Sequence, residues 1–137
     1  MDPGVKPPVN SIWPGSEKRQ ALRGPRVGDT QRGAYLTWLA YYGGVLEPAF
    51  VSKFMNVDVP RGTAGWVSSD EAMAHVTAAL AKAPFLLGER FSAADVLYGS
   101  TFALFLGSPM LPEQPALRSY VTRCQARPAF ARAAAKD

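Results

Sequence analysis

The chain has 137 residues, room for one domain and too few for two packed ones. Of these residues 47% are apolar and 19% charged, which favours a packed core over disorder, while Lys and Arg outnumber Asp and Glu by 15 to 11, with the excess at the two ends. One cysteine, Cys124, and one histidine, His75, exclude an internal disulfide and a three- or four-ligand zinc site, so no metal site is expected and a reducing compartment is the default.

Residues 1–29 hold five of the twelve prolines among Gly, Ser and charges without an apolar period, and read as an unfolded lead-in to a single domain over 30–137. The N-terminus has no apolar leader, and the longest apolar-rich run, 96–107, is too short to span a bilayer. A cytoplasmic protein without a membrane partner is therefore expected.

From Asp29 or Thr30 the texture changes. Tyr35, Trp38, Leu39, Tyr42, Leu46, Ala49 and Phe50 recur at steps of three and four, which predicts a long amphipathic helix. Gly43-Gly44 and Pro48 predict a bend within 43–48. A connector with Pro60, Gly62 and Gly65 follows. Ser68-x-x-Glu71 is a capping box that opens a second helix with the stripe Met73, Val76, Leu80 and Ala83, stopped by Pro84. Ser92-Ala-Ala-Asp95 is a second box, flanked by Phe91 and Val96 at the spacing of a hydrophobic staple. The third helix it opens, to about Leu106, is apolar nearly all round, as a helix surrounded by others must be. Gly107, Pro109 and Pro112 end it. Pro115 suits the first position of a fourth helix with the stripe Leu117, Tyr120, Val121 and Cys124, and Pro128 opens a short fifth. No strand is expected. The fold class is all-α, an orthogonal bundle of about five helices around a buried central one.

The residues that could carry chemistry are few. His75 sits on a helix flank as a solvated or partly covered side chain, and Cys124 lies on a buried stripe, so neither is taken as a catalyst. Ser92 and Asp95 answer a folding demand, capping their helix. Neither a P-loop nor a dinucleotide fingerprint occurs. Arg118, Arg123, Arg127 and Arg132 read as solvated helix-face residues, with nucleic-acid binding ranked behind other functions. Tyr35, Trp38, Tyr41 and Tyr42 crowd one helix. Tyr35, Trp38 and Tyr42 share a face, and Tyr41 points about 100° away from Tyr42, so the aromatics supply either core and interface or one wall of an apolar cleft.

Three stretches resemble the C-terminal helical domain of glutathione transferases. The run Phe85-Leu86-Leu87-Gly88-Glu89-Arg90-Phe91-Ser92-Ala93-Ala94-Asp95-Val96 is similar to the loop and capping box that open that domain's central helix. Tyr120-Val121-Thr122-Arg123-Cys124-Gln125-Ala126-Arg127-Pro128-Ala129-Phe130 resembles its last helices, and Leu46-Glu47-Pro48-Ala49 the kinked first helix of bacterial members. Arg26 to Gly33 resembles the interdomain linker.

The resemblance implies a helical domain that packs against a thioredoxin-like domain, walls the electrophile site and dimerises through its first two helices. The glutathione site belongs to the other domain. No catalytic residue is carried over, glutathione enters as co-substrate only where a partner domain supplies its site, and no further cofactor is implied. Residues 1–29 are too few and too rich in proline for a thioredoxin-like unit, so the chain reads as a truncated or frame-shifted descendant, inactive alone. Trp38, Tyr42 and Gly43 are the expected cleft residues. The other function that this reading leaves open is a helical protein-interaction module.

Overall fold

The computed structural model describes residues 24–135. Most of the proline-rich lead-in, residues 1–23, lies outside them. Its last residues are held against the body of the domain: Gly24 lies against the Tyr35 ring, the Arg32 guanidinium donates to the Pro25 carbonyl (2.9 Å), and Asp29 pairs with Arg90 (2.6 Å).

The first helix has three parts. Helix α1 (Arg32–Tyr41) passes into one wider π-helical turn (Tyr42–Leu46), which runs straight into α2 (Glu47–Phe54). The sequence places this interruption correctly. Pro48 has no N–H to give to the preceding turn, and the glycine pair lowers the resistance of the backbone to adjustment. The helix starts at Arg32 rather than at Asp29 or Thr30, because Asp29 closes a turn by accepting the Gln31 N–H (2.8 Å) and turns its other oxygen to Arg90.

A loop over 55–68 leads to α3 (Ser69–Leu80). Ser68 caps it, accepting from the Glu71 N–H (3.3 Å) while the Glu71 carboxylate reaches back. Helix α3 ends three residues before Ala83, which therefore adds nothing to its stripe. The residue before a proline is pushed out of helical geometry, and Lys82 N–H tightens the final turn onto the Ala79 carbonyl (3.1 Å).

Helix α4 (Ala93–Phe105) is the central helix and packs against α1 and α5 (Pro115–Gln125). The short α6 (Pro128–Ala134) follows. Gly107 reverses the chain after α4 with φ 88°, a left-handed conformation that costs other residues strain. Helix α5 also packs against α3, and the core gathers Leu46, Phe50, Val76, Tyr98, Phe102, Leu117 and Tyr120. With α1, the π-turn and α2 taken as one interrupted helix, this is an all-α bundle of about five helices. No strand occurs among the described residues, only isolated bridges such as Phe85 with Gly88.

One expectation needs correction. The central helix is not covered all round: Val96 remains 56% and Leu104 75% exposed. Helices this short wrap α4 on one side only, and its two other apolar flanks open into clefts.

Candidate functional site

The larger cleft is an apolar groove of about 510 Å³ between the π-turn with α2 on one side and α4 on the other. The bent first helix supplies Tyr42, Phe50 and Phe54, and α4 supplies Thr101, Leu104 and Phe105. Their positions follow from helical spacing. Tyr42, Leu46, Phe50 and Phe54 recur every four residues, so one continuous ridge faces α4 through the π-turn. Phe50 meets Phe105 edge to face at 6.1 Å, forming the floor, while Phe54 is 77% exposed at the rim.

Within the groove the Tyr42 hydroxyl and Thr101 Oγ1 meet at 2.7 Å, and Ser100 on the same wall donates to the Leu97 carbonyl (3.0 Å). Thr101 has a single hydroxyl proton and donates it to the Leu97 carbonyl (3.1 Å). Tyr42 is therefore the donor, and its oxygen keeps lone pairs free to accept from a guest. Among the described residues Glu47 is the only carboxylate along the walls. A groove of this composition can hold an aromatic or aliphatic body and orient it by one hydroxyl. Among the described residues it is lined by no cation and no imidazole that would stabilise a thiolate.

Of the three residues expected to form a cleft, only Tyr42 lies along this groove. The Trp38 indole turns to the other side of α1, donating to the Leu86 carbonyl (3.1 Å) and packing against His75 and Tyr98. The backbone carbonyl of Trp38 accepts from the Tyr98 hydroxyl (2.8 Å). Trp38 thus fastens α1 to the loop before α4 and to α4 itself. Gly43 is exposed, and a side chain there would meet open space, so it walls nothing. Tyr41 is turned toward α3, where its hydroxyl donates to the Ala72 carbonyl (3.1 Å) and its ring lies beside exposed His75.

Phe50, Phe54, Leu104 and Thr101 are the groove residues that sequence reasoning passed over. Phe50 reads as core from its spacing, and it is core on one side and groove floor on the other. Leu104 belongs to a helix whose all-round apolarity hides which flank stays open. The signal available in the sequence was that excess apolarity.

Ser92 and Asp95 lie beneath the surface at the start of α4, fully buried. Ser92 Oγ accepts from the Ala94 N–H (3.2 Å), and Asp95 accepts from the N–H of Ser92 (2.9 Å). Asp95 also accepts from the Leu86 N–H (2.9 Å) and from the Tyr120 hydroxyl (2.9 Å), joining the loop, α4 and α5. The expected staple pair, Phe91 and Val96, lines a second, smaller cleft, with Phe91 packed edge-on against Phe85 at 5.3 Å. Cys124 is buried against α4, and burial, with Asp95 nearby, pushes its thiol up to about 11, so it is not a nucleophile at neutral pH.

The arginines of the last helices take separate roles. Arg118 pairs with Glu113 through two hydrogen bonds (2.8 and 2.6 Å), Arg123 donates to the Pro84 carbonyl (3.2 Å), and Arg127 lies over the Phe91 ring. Among the described residues no group of His, Cys, Asp and Glu is placed to hold a metal ion, and no helix is long and apolar enough to cross a membrane. No family model matches the chain, and neither the curated proteins nor the solved structures contain one that matches it.

Proposed function

We propose that this chain is the helical half of a glutathione transferase-like protein, and that the groove along α4 is the wall against which an apolar electrophile and a thioredoxin-like domain are seated. The observation that carries this reading is the groove itself. It is apolar, large enough for a substituted ring, open along its length through Leu104 and Phe54, and equipped with the Tyr42 hydroxyl, which can orient a guest.

The division of labour follows from the chemistry. In a conjugation, the glutathione sulfur attacks the electrophilic carbon, a C–S bond forms, and the halide leaves with the electron pair of the broken bond. That step requires a thiolate near neutral pH, held beside the carbon. The groove supplies apolar walls and the Tyr42 oxygen and nothing that lowers a thiol pKa. The activating groups and the glutathione site come from the other domain, so the helical chain alone is inactive.

The test supplies a thioredoxin-like glutathione-binding domain in trans and follows conjugation of glutathione to chlorodinitrobenzene. The chain alone gives no conjugation above the solution reaction and no heat on titration with glutathione. With the domain added, conjugation rises at least tenfold over the domain alone, and Leu104→Glu abolishes the gain. Conjugation by the chain alone, or no gain with the added domain, overturns this reading. A second reading, a helical protein-interaction module, rests on the same exposed Phe54 and Leu104; saturable binding of the added domain without catalytic gain favours it.

A further inference from the structure

The second open flank of α4 carries different chemistry. A cavity of about 260 Å³ lies between α4, the end of α5 and α6, bounded by Val96, Ala103, Phe91, Cys124 and Phe130, with Arg127 on its wall. It and the groove share only Ser100, on the ridge of α4 between them. An apolar protein cavity of about 150 Å³ suffices for a benzene ring, so this one has room for a single ring with a substituent.

Charge narrows the class further. The Arg127 guanidinium stands 3.8 Å over the Phe91 ring and, among the described residues, has no acidic partner. Stacking holds its plane in place while leaving its N–H groups to donate, an arrangement suited to the two oxygens of a carboxylate. Asp95, the only acidic residue along the cavity among the described residues, is fully buried behind its floor, with both oxygens taken by Leu86, Ser92 and Tyr120. Cys124 stays protonated at neutral pH and acts as an uncharged wall. Gly99 lets α5 come close at that wall, since a Cβ there would stand 3.0 Å from Cys124 Sγ.

We propose that this cavity binds a small aromatic carboxylate, with its ring between Val96, Ala103 and Phe130 and its carboxylate on Arg127. The site is independent of the groove and of the function assigned to it.

The probe is benzoate, with benzyl alcohol as its uncharged counterpart, titrated into the full chain while the amide resonances of Gly99, Ala103 and Phe130 are followed. Benzoate gives saturable shifts at these residues and binds at least tenfold more tightly than benzyl alcohol. Arg127→Gln, a change at a partly exposed side chain, lowers benzoate to the affinity of benzyl alcohol and leaves benzyl alcohol unchanged. Ala103→Phe fills the cavity and removes both, with circular dichroism reporting that the helices persist. Leu104→Glu, which puts a charge on the groove wall, leaves benzoate binding intact, so failure of the functional reading and failure of this one are distinct. Absence of saturable shifts in the unmodified chain, equal affinity for the two probes, or shifts centred on Thr101 and Leu104 would overturn the proposal.

Discussion

Asp95 is a carboxylate removed from water and supported by four donors: the N–H of Leu86, the hydroxyl of Tyr120, and the N–H and hydroxyl of Ser92. A buried charge persists only when its lone pairs are satisfied this fully. Asp95→Ala leaves the Ser92 cap on the Ala94 N–H but removes the other half of the box and strands the N–H groups of Ser92 and Leu86 and the Tyr120 hydroxyl, each orphaned group costing about 1–3 kcal/mol. The expected loss is about 3–5 kcal/mol, read from urea midpoints. Tyr120→Phe alone loses about 1–2 kcal/mol, and the pair together loses less than the sum, because the second change removes a donor that the first had stranded. Additive losses would show that the Tyr120 hydroxyl is satisfied elsewhere.

The same cluster sets an alkaline limit. Burial raises Cys124 from 9.0 to about 11, and burial, with Asp95 close by, raises Tyr120 above its ordinary 10.0. Tyr98 is raised mainly by burial as well. In each case the unfolded chain ionises first. The contribution of these groups is therefore complete below pH 9 and is lost as the pH climbs through the folded values, the thiol contributing on the order of 2 kcal/mol between pH 9 and 11. Denaturant midpoints across pH 7–11 check this, and Cys124→Ala flattens the first part of the decline. An equally steep decline in that variant would assign the effect to other groups.

Two glycines separate two demands on helical elements. Gly44 sits in the π-turn, where a Cβ would meet nothing within 4 Å, so Gly44→Ala gains about 0.5–1 kcal/mol by restricting the unfolded chain. Gly99 sits where α4 meets α5, and a Cβ would press on Cys124 Sγ at 3.0 Å and on its Cβ at 3.1 Å. Gly99→Ala costs about 1–3 kcal/mol, and Cys124→Ala in the same chain recovers only the part due to the sulfur. Thermal midpoints of the three variants decide both points. Element starts and stops were legible because their causes are local: the boxes at Ser68 and Ser92, the prolines at 115 and 128, and the glycine pair before Pro48 act within a few residues. The start of α1 was not, since Asp29 is drawn to Arg90, 61 positions away in sequence. The direction of Trp38 depends on the Leu86 carbonyl, and that of Asp95 on Tyr120; neither partner leaves a trace in the local pattern. Of the expected cleft, Tyr42 was readable because it shares a four-residue ridge with Leu46 and Phe50, whereas Gly43 was placed there by the room a glycine leaves, and that room faces solvent.

The whole molecule is a small bundle whose central helix carries more apolar surface than its neighbours cover. Leu104 and Phe54 stand 75% and 77% exposed on opposite sides of the groove, where their ordinary fate on an isolated surface would be a charged or polar residue. Being exposed, they add little to folding, so Leu104→Glu and Phe54→Glu each change the unfolding free energy, read by urea titration, by less than about 0.5 kcal/mol. Their effect falls on association. The outcome expected in sedimentation velocity is a weight-average mass of the unmodified chain that rises with concentration, together with enhanced fluorescence of a hydrophobic dye. The double variant, with two carboxylates facing across the groove beside Glu47, loses both properties, because bringing a second apolar surface onto them would strip their water without providing a counter-charge. Unchanged association in the double variant would move the sticky surface away from the groove and take with it the seat assigned to a partner domain.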